Sequence, residues 1–170
     1  ALSLAVPPDA AAALLPADMQ TLRAGVSGIG ISQVESVAVC VPAAEISHLP
    51  ALAGLIAVDD AFHSMVSRDY VPDQDYRGFT FHFRPGVMAP DAQLERIGRV
   101  LGITPDRIAG VERVSNRLPA LRVGHQDLVQ GIDAALAGSR LAITGNWFYG
   151  VSVEDCLTRS HHEAVRLFGP

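Results

Sequence analysis

The chain has no lysine. All thirteen of its basic residues are arginines, so a Schiff-base lysine and a phosphate-loop lysine are both excluded. Cysteine is nearly absent too. Cys40 and Cys156 stand far apart and form no metal-ligand spacing. They read as two free thiols in a reducing cytosol, which makes the expected setting cytoplasmic. Positive charge is outweighed, with a net of -5, which argues against nucleic acid or an anionic membrane as the main partner. No apolar run approaches the roughly 20 residues that span a bilayer, so no integral membrane segment is expected. The opening "ALSLAVPPDAAAALL" lacks a basic lead and is broken by Pro7-Pro8, unlike a signal peptide. H-x-x-x-H, H-E-x-x-H and G-x-S-x-G are all missing. No metal site is therefore expected, and Ser64 or Ser67 beside His63 and Asp69 makes no nucleophile elbow.

What is present is a core. Apolar residues make up 49% of the 170 and charged ones 18%, enough for one large folded domain and too apolar for wholesale disorder. "ALSLAV" predicts a short strand over Leu2 to Val6, ended by Pro7-Pro8. Asp9 is placed to cap a helix over Ala10 to Leu15 that Pro16 stops. A second short helix and a glycine-rich turn fill Pro16 to Gly30. "SQVESVAVCV" predicts a strand over Ser32 to Val41, and further strands are expected at Leu55 to Val58 and in "AFHSMVSRD". Tyr70 to Gly78 reads as a turn. In "GFTFHFRPG", Phe79, Phe81 and Phe83 alternate with Thr80, His82 and Arg84, the clearest strand signal in the chain. Helices are expected over Asp91 to Leu101, His125 to Ala137 and Ser152 to Phe168, and strands around Ile108 to Val114 and Arg140 to Thr144. Interleaved helices and strands, with antiparallel-looking strands in the middle, predict a mixed α/β (α+β) architecture.

The stretch with most to say about chemistry is "LAITGNWFYGVSVEDCLTRSHHEAVRLF". A β-branched strand ends at Gly145-Asn146, passes Trp147, Phe148 and Tyr149, and restarts as a helix after Gly150. Ser152 and Asp155 have the spacing of a capping box. A strand feeding a helix N-terminus favours an anionic or dipolar group there, and Gly145 and Gly150 permit close approach to the backbone. An ordinary strand, turn and well-capped helix accounts for the same pattern. "GVSGIG", residues 25–30, runs G-x-x-G-x-G and reads as a turn and not a dinucleotide loop. His63 and His82, on middle strands, are candidates to face a ligand cavity or to be satisfied structural histidines.

The order Pro119, Val123-Gly124-His125, a helix, a strand ending in Gly145-Asn146, Gly150-Val151, Val153 and Asp155-Cys156 resembles the end of flavin-dependent amine-oxidase-like proteins, especially protoporphyrinogen oxidases. "LSLAVPPDAAAALL" resembles that family's strand and helix leaving the flavin domain. The resemblance implies a cofactor, FAD, and an oxidoreductase that transfers hydride to flavin from an amine, a porphyrinogen-like ring or another small apolar substrate. It implies FAD contacts from Gly145, Asn146, Trp147, Gly150, Val151, Ser152 and Val153, with Tyr149 where flavin and substrate meet; His63, Arg68 and His82, from the middle strands, are the further candidates for a substrate pocket. No residue stands out as an obligatory catalytic base. It implies that 1–15 and 125–170 belong to a Rossmann-like FAD-binding domain and 16–124 to a mixed-sheet substrate domain. The family's G-x-G-x-x-G fingerprint is not in this sequence. The expectation is a partner, a second chain or an N-terminal half, carrying it. The opening within a strand agrees with a separate gene product, a cleaved subunit or an excised piece. A non-catalytic ligand-binding or scaffolding subunit is the alternative. In this family's turn a proline stands where Glu154 stands here.

Overall fold

A computed structural model describes residues 1–71 and 73–169. Pro72, inside the stretch expected to turn, lies outside the described residues. The fold is mixed α/β and divides into two compact units, residues 1–32 with 118–170, and residues 33–117.

In the first unit, β1 (Leu2–Leu4) leads into α1 (Pro8–Leu14) and α2 (Gln20–Ser27). The helix after β1 starts at Pro8, not beyond Asp9. Proline at the first helical position supplies the right φ and lacks only an N–H that would be orphaned anyway, so Asp9 sits in the first turn and does not cap. After the second unit come α4 (His125–Leu136), β7 (Leu141–Ile143) and α5 (Val153–Phe168). Strands β1 and β7 pair in parallel, Leu2 with Leu141 and Leu4 with Ile143. Around β7 the core gathers Ala11, Leu22, Val26, Ile132, Leu136, Ile143, Trp147 and Phe148. Residues 25–30, the "GVSGIG" stretch, finish α2 and begin β2.

The second unit is built on a sheet in the order β3-β4-β5-β2-β6. Its strands are β2 (Gly30–Pro42), β3 (Gly54–Ile56), β4 (Phe62–Ser67), β5 (Tyr76–Phe83) and β6 (Gly110–Ala120), with α3 (Pro90–Leu101) between β5 and β6. The pairs β2–β5, β3–β4 and β4–β5 are antiparallel. The alternation in "GFTFHF" works as its period demands: Phe79, Phe81 and Phe83 are buried and pack with Val37, Val39, Val41, Phe62, Met65, Ile97 and Leu101. Phe62 and Phe81 meet edge to face at 5.2 Å, the arrangement their ring quadrupoles favour. β6 runs longer than its apolar stretch suggests and ends beyond Pro119. An edge strand tolerates proline because one side of its backbone needs no ladder donor.

Two clamps tie loops to this sheet. Arg77 grips Asp69 at 2.9 and 2.5 Å and donates to the carbonyls of Ile46, Leu49 and Pro50. Arg96 from α3 holds Asp60 through both carboxylate oxygens. The arginine in each case holds its aspartate below the ordinary carboxylate value, against the opposing pull of burial.

Candidate functional site

The turn between β7 and α5 is ordered from beneath. Trp147 is fully buried; its indole N–H donates to the Val6 carbonyl at 3.1 Å, and its ring stacks on Phe148 at 4.2 Å. Trp147 therefore shapes the turn from inside the core. His125 Nε2 lies 2.9 Å from the Phe148 carbonyl, which ties the start of α4 to the same turn. Gly145 has φ +150°, and a Cβ there would come within 2.7 Å of the Trp147 indole nitrogen. At Gly150 a Cβ would overlap the Asp155 carboxylate. Both glycines thus have a reason inside this chain, whatever binds nearby.

Helix α5 carries the expected capping box. The Asp155 amide donates to Ser152 Oγ at 3.1 Å, and the Asp155 carboxylate accepts the Ser152 amide at 3.2 Å. Among the described residues the amides of Val153 and Glu154 find no acceptor, as the first turn of a helix dictates. Around them stand exposed apolar side chains: Val151 at 65%, Val153 at 78%, Leu157 at 60% and Tyr149 at 41%. Open donors at a positive helix end, ringed by exposed apolar surface, fit a flat ring system with an electron-rich edge. Asn146 is half-buried at the head of the turn.

Below the turn lies a residue that sequence reasoning missed. Arg159, 1% exposed, sits 3.7 Å under the Phe148 ring. It donates to the Ile143 carbonyl at 3.0 Å and to Asp133 at 2.6 Å, and one terminal nitrogen lies 3.3 Å from Glu163. Glu163 accepts the Ile143 amide at 3.3 Å, and Arg166 donates to the Leu141 carbonyl at 2.5 Å. These backbone groups lie on the edge of β7 away from β1. Three side chains of α5, spaced four and three apart, stand in for a neighbouring strand. That spacing is the one signal that pointed to them. β1 has no such cover. Its Leu2 amide and Leu4 carbonyl face β7, so Ser3 points its backbone to an edge with no partner strand among the described residues.

The other candidate residues belong to the second unit. On β5, His82 and Thr80 alternate with the core phenylalanines and share a face with Ser36, Ala38 and Cys40 of β2. His82 is half-buried, and His63 on β4 is exposed. Burial, reinforced by His63, pushes the His82 imidazole below its ordinary value. Ser36 Oγ lies 3.1 Å from His82 Nδ1, and Asn116 Nδ2 donates to Ser36 Oγ at 2.9 Å. Arg68 is exposed beside the same face, its amide bonded to the Gly78 carbonyl. His63, Arg68 and His82 are thus gathered in one unit, whereas Tyr149 lies with the turn residues in the other. Tyr149 Oη is 3.1 Å from His162 Nδ1. Among the described residues no cluster of metal-ligating side chains occurs and no helix is long and apolar enough to cross a membrane.

No family model matches the chain. Part of it, 55 residues or 31% of its length, is 38% identical to a protoporphyrinogen oxidase of Schizosaccharomyces pombe; the match spans 11% of that protein.

Proposed function

We propose that this chain is a portion of an FAD-dependent oxidoreductase of the protoporphyrinogen and amine oxidase type. In that reading 1–15 and 125–170 complete a flavin-binding domain. Within the 16–124 stretch, the compact unit 33–117 faces a small apolar substrate. The observation that carries the reading is the N-terminus of α5: two unspent amides inside a collar of exposed valine, leucine and tyrosine. The partial identity to a protoporphyrinogen oxidase supports it.

When bound, FAD would accept hydride from the substrate. The chain's own part is to bind and orient. Gly145 and Asn146 would hold the pyrophosphate end. Val151, Ser152 and Val153 would lie along the ring, with the Val153 and Glu154 amides stabilising negative charge at its edge. Trp147 sets the turn from beneath. The open edge of β1 supports a partner, a second chain or another segment bearing G-x-G-x-x-G, that adds a strand there. One observation favours the rival reading of a non-catalytic ligand-binding or scaffolding subunit: Gly145 and Gly150 are required by the turn and cap alone.

Val153→Glu separates the two. Glutamate at the first helical position suits the helix, so the fold survives. Placed against a flavin edge it repels, and flavin content of the chain with its partner should fall about tenfold, read from visible absorbance per mole of purified complex. Unchanged flavin content would remove α5 from the site; a colourless wild-type complex would leave the scaffolding reading.

A further inference from the structure

We propose that the face of the five-stranded sheet opposite its phenylalanine core reads the two ends of an elongated apolar acid, its carboxylate at Arg68 and a hydrogen-bond acceptor at His82. The inference rests on the reading above that this unit faces substrate, and it names the substrate's class.

The face has a floor of small side chains. β2 presents Ser36, Ala38 and Cys40, and β5 presents Gly78 and Thr80 before His82, because the neighbours of each point into the phenylalanine core. These residues are half-buried. Gly78 makes room for Arg68: a Cβ there would come within 3.2 Å of Arg68 Cγ. The arginine's aliphatic stem therefore lies over the strand, and its head rims a cavity of about 550 Å³ shared with Cys40, Ala51, Tyr70 and Tyr76.

Of the two arginines lining that cavity, Arg68 is the one without a carboxylate partner among the described residues. Asp69 and Arg77 neutralise each other at 2.5 Å. Asp73 spends a carboxylate oxygen on the amides of Asp75 and Tyr76, both at 2.9 Å. Arg68 donates to the Tyr70 hydroxyl at 2.8 Å and has no carboxylate partner among the described residues. A planar guanidinium with open donors beside two tyrosines suits a carboxylate on an apolar body.

The far end is neutral and directional. Asn116 Nδ2 donates to Ser36 Oγ, and the Ser36 hydroxyl hydrogen then goes to His82 Nδ1. The opposite tautomer would turn that hydrogen to solvent and spend the ring donor on Ser36. The chain of bonds favours Nε2–H as a donor turned away from Ser36. Asn116 and Ser36 are positioning residues; His82 is the group that meets the ligand. Positions 78 and 82 are four residues apart on β5, a rise of about 13 Å along the strand, which sets the scale of the ligand. A ligand of that span with a carboxylate at one end and a carbonyl, ether or ring-nitrogen acceptor at the other satisfies both.

The probe is 4′-acetylbiphenyl-4-carboxylate, titrated calorimetrically into the full chain with whatever partner co-purifies. It is compared with its methyl ester and with biphenyl-4-carboxylate. The acid should bind more tightly than the ester by about tenfold, and Arg68→Gln should abolish that difference. The acetyl group should add affinity that His82→Phe removes and His82→Gln partly keeps. Asn116→Ala should lower the acetyl contribution without touching the acid–ester ratio, which a merely structural residue would not do. Equal binding of acid and ester, preferences that survive Arg68→Gln and His82→Phe, or no binding of any probe would each overturn the proposal. Flavin content, scored on the same samples, keeps the two readings apart. Bound flavin without probe selectivity sinks only this one, and probe selectivity without flavin sinks only the other.

Discussion

The two units solve the same problem by opposite means. Backbone groups taken from water must find partners. The unit of residues 33–117 does so with its own strands, pairing β2, β3, β4 and β5 residue by residue over an aromatic core. The unit of residues 1–32 and 118–170 has two three-residue strands and covers one outer edge with Arg159, Glu163 and Arg166. The first device is apolar and redundant. The second is ionic and rests on few atoms. A buried ion network is fragile to loss of one member, because what remains is an unpaired charge, whereas a sheet core degrades by cavity.

The sharpest test of that contrast pairs two substitutions. Phe81→Ala should cost about 4 kcal/mol by leaving a cavity among Phe62, Phe79 and Phe83. Arg159→Ala should cost about 2 kcal/mol by leaving the Ile143 carbonyl and Asp133 without their donor, while Arg166 still holds Glu163. Native-state hydrogen exchange reads each by location. Phe81→Ala should release amides of the five-stranded sheet, and Arg159→Ala those of β7 and α5. If either change loosens both units equally, they form one cooperative block and the contrast fails.

A smaller effect comes from acid. Asp69 and Asp60 have carboxyls held below the ordinary value by Arg77 and Arg96. Groups shifted in this direction stabilise fully above the unfolded value near pH 4 and stop doing so as pH falls through the folded value. Urea midpoints of the second unit should therefore drop below about pH 4, and Asp69→Asn should flatten part of that drop. A midpoint independent of pH there would show that the clamps contribute nothing. The smallest effect on the chain's own stability is expected from Ser3→Pro. It removes an amide on the open edge of β1 and leaves the Leu2 and Leu4 bonds to β7 intact. Thermal stability should barely move while co-purification with a strand-adding partner is lost. Retained co-purification would place the partner elsewhere.

Much of the fold was legible because its signals are local. Alternating phenylalanines declare a strand face within six residues, and Ser152 with Asp155 declares a cap within four. What stayed hidden is tertiary. Arg159 reads as a surface arginine until α5 is laid on β7, since its partners Ile143 and Asp133 are 16 and 26 positions away. The Ser36–His82 bond spans 46 positions and depends on strand register. Gly145 and Gly150 show the converse. A glycine pattern announces that something comes close; only the packed turn reveals that the indole of Trp147 and the carboxylate of Asp155 are among the things that do.

The covered rim of β7 has a consequence for assembly. A ribbon open on both sides can lengthen without end, as fibrils do. One whose far side is closed by two arginines and a glutamate can dock a single visitor and then has nothing left to offer. Companions of this chain should therefore come in ones, and aggregation by strand stacking should begin only when that ionic seam is cut.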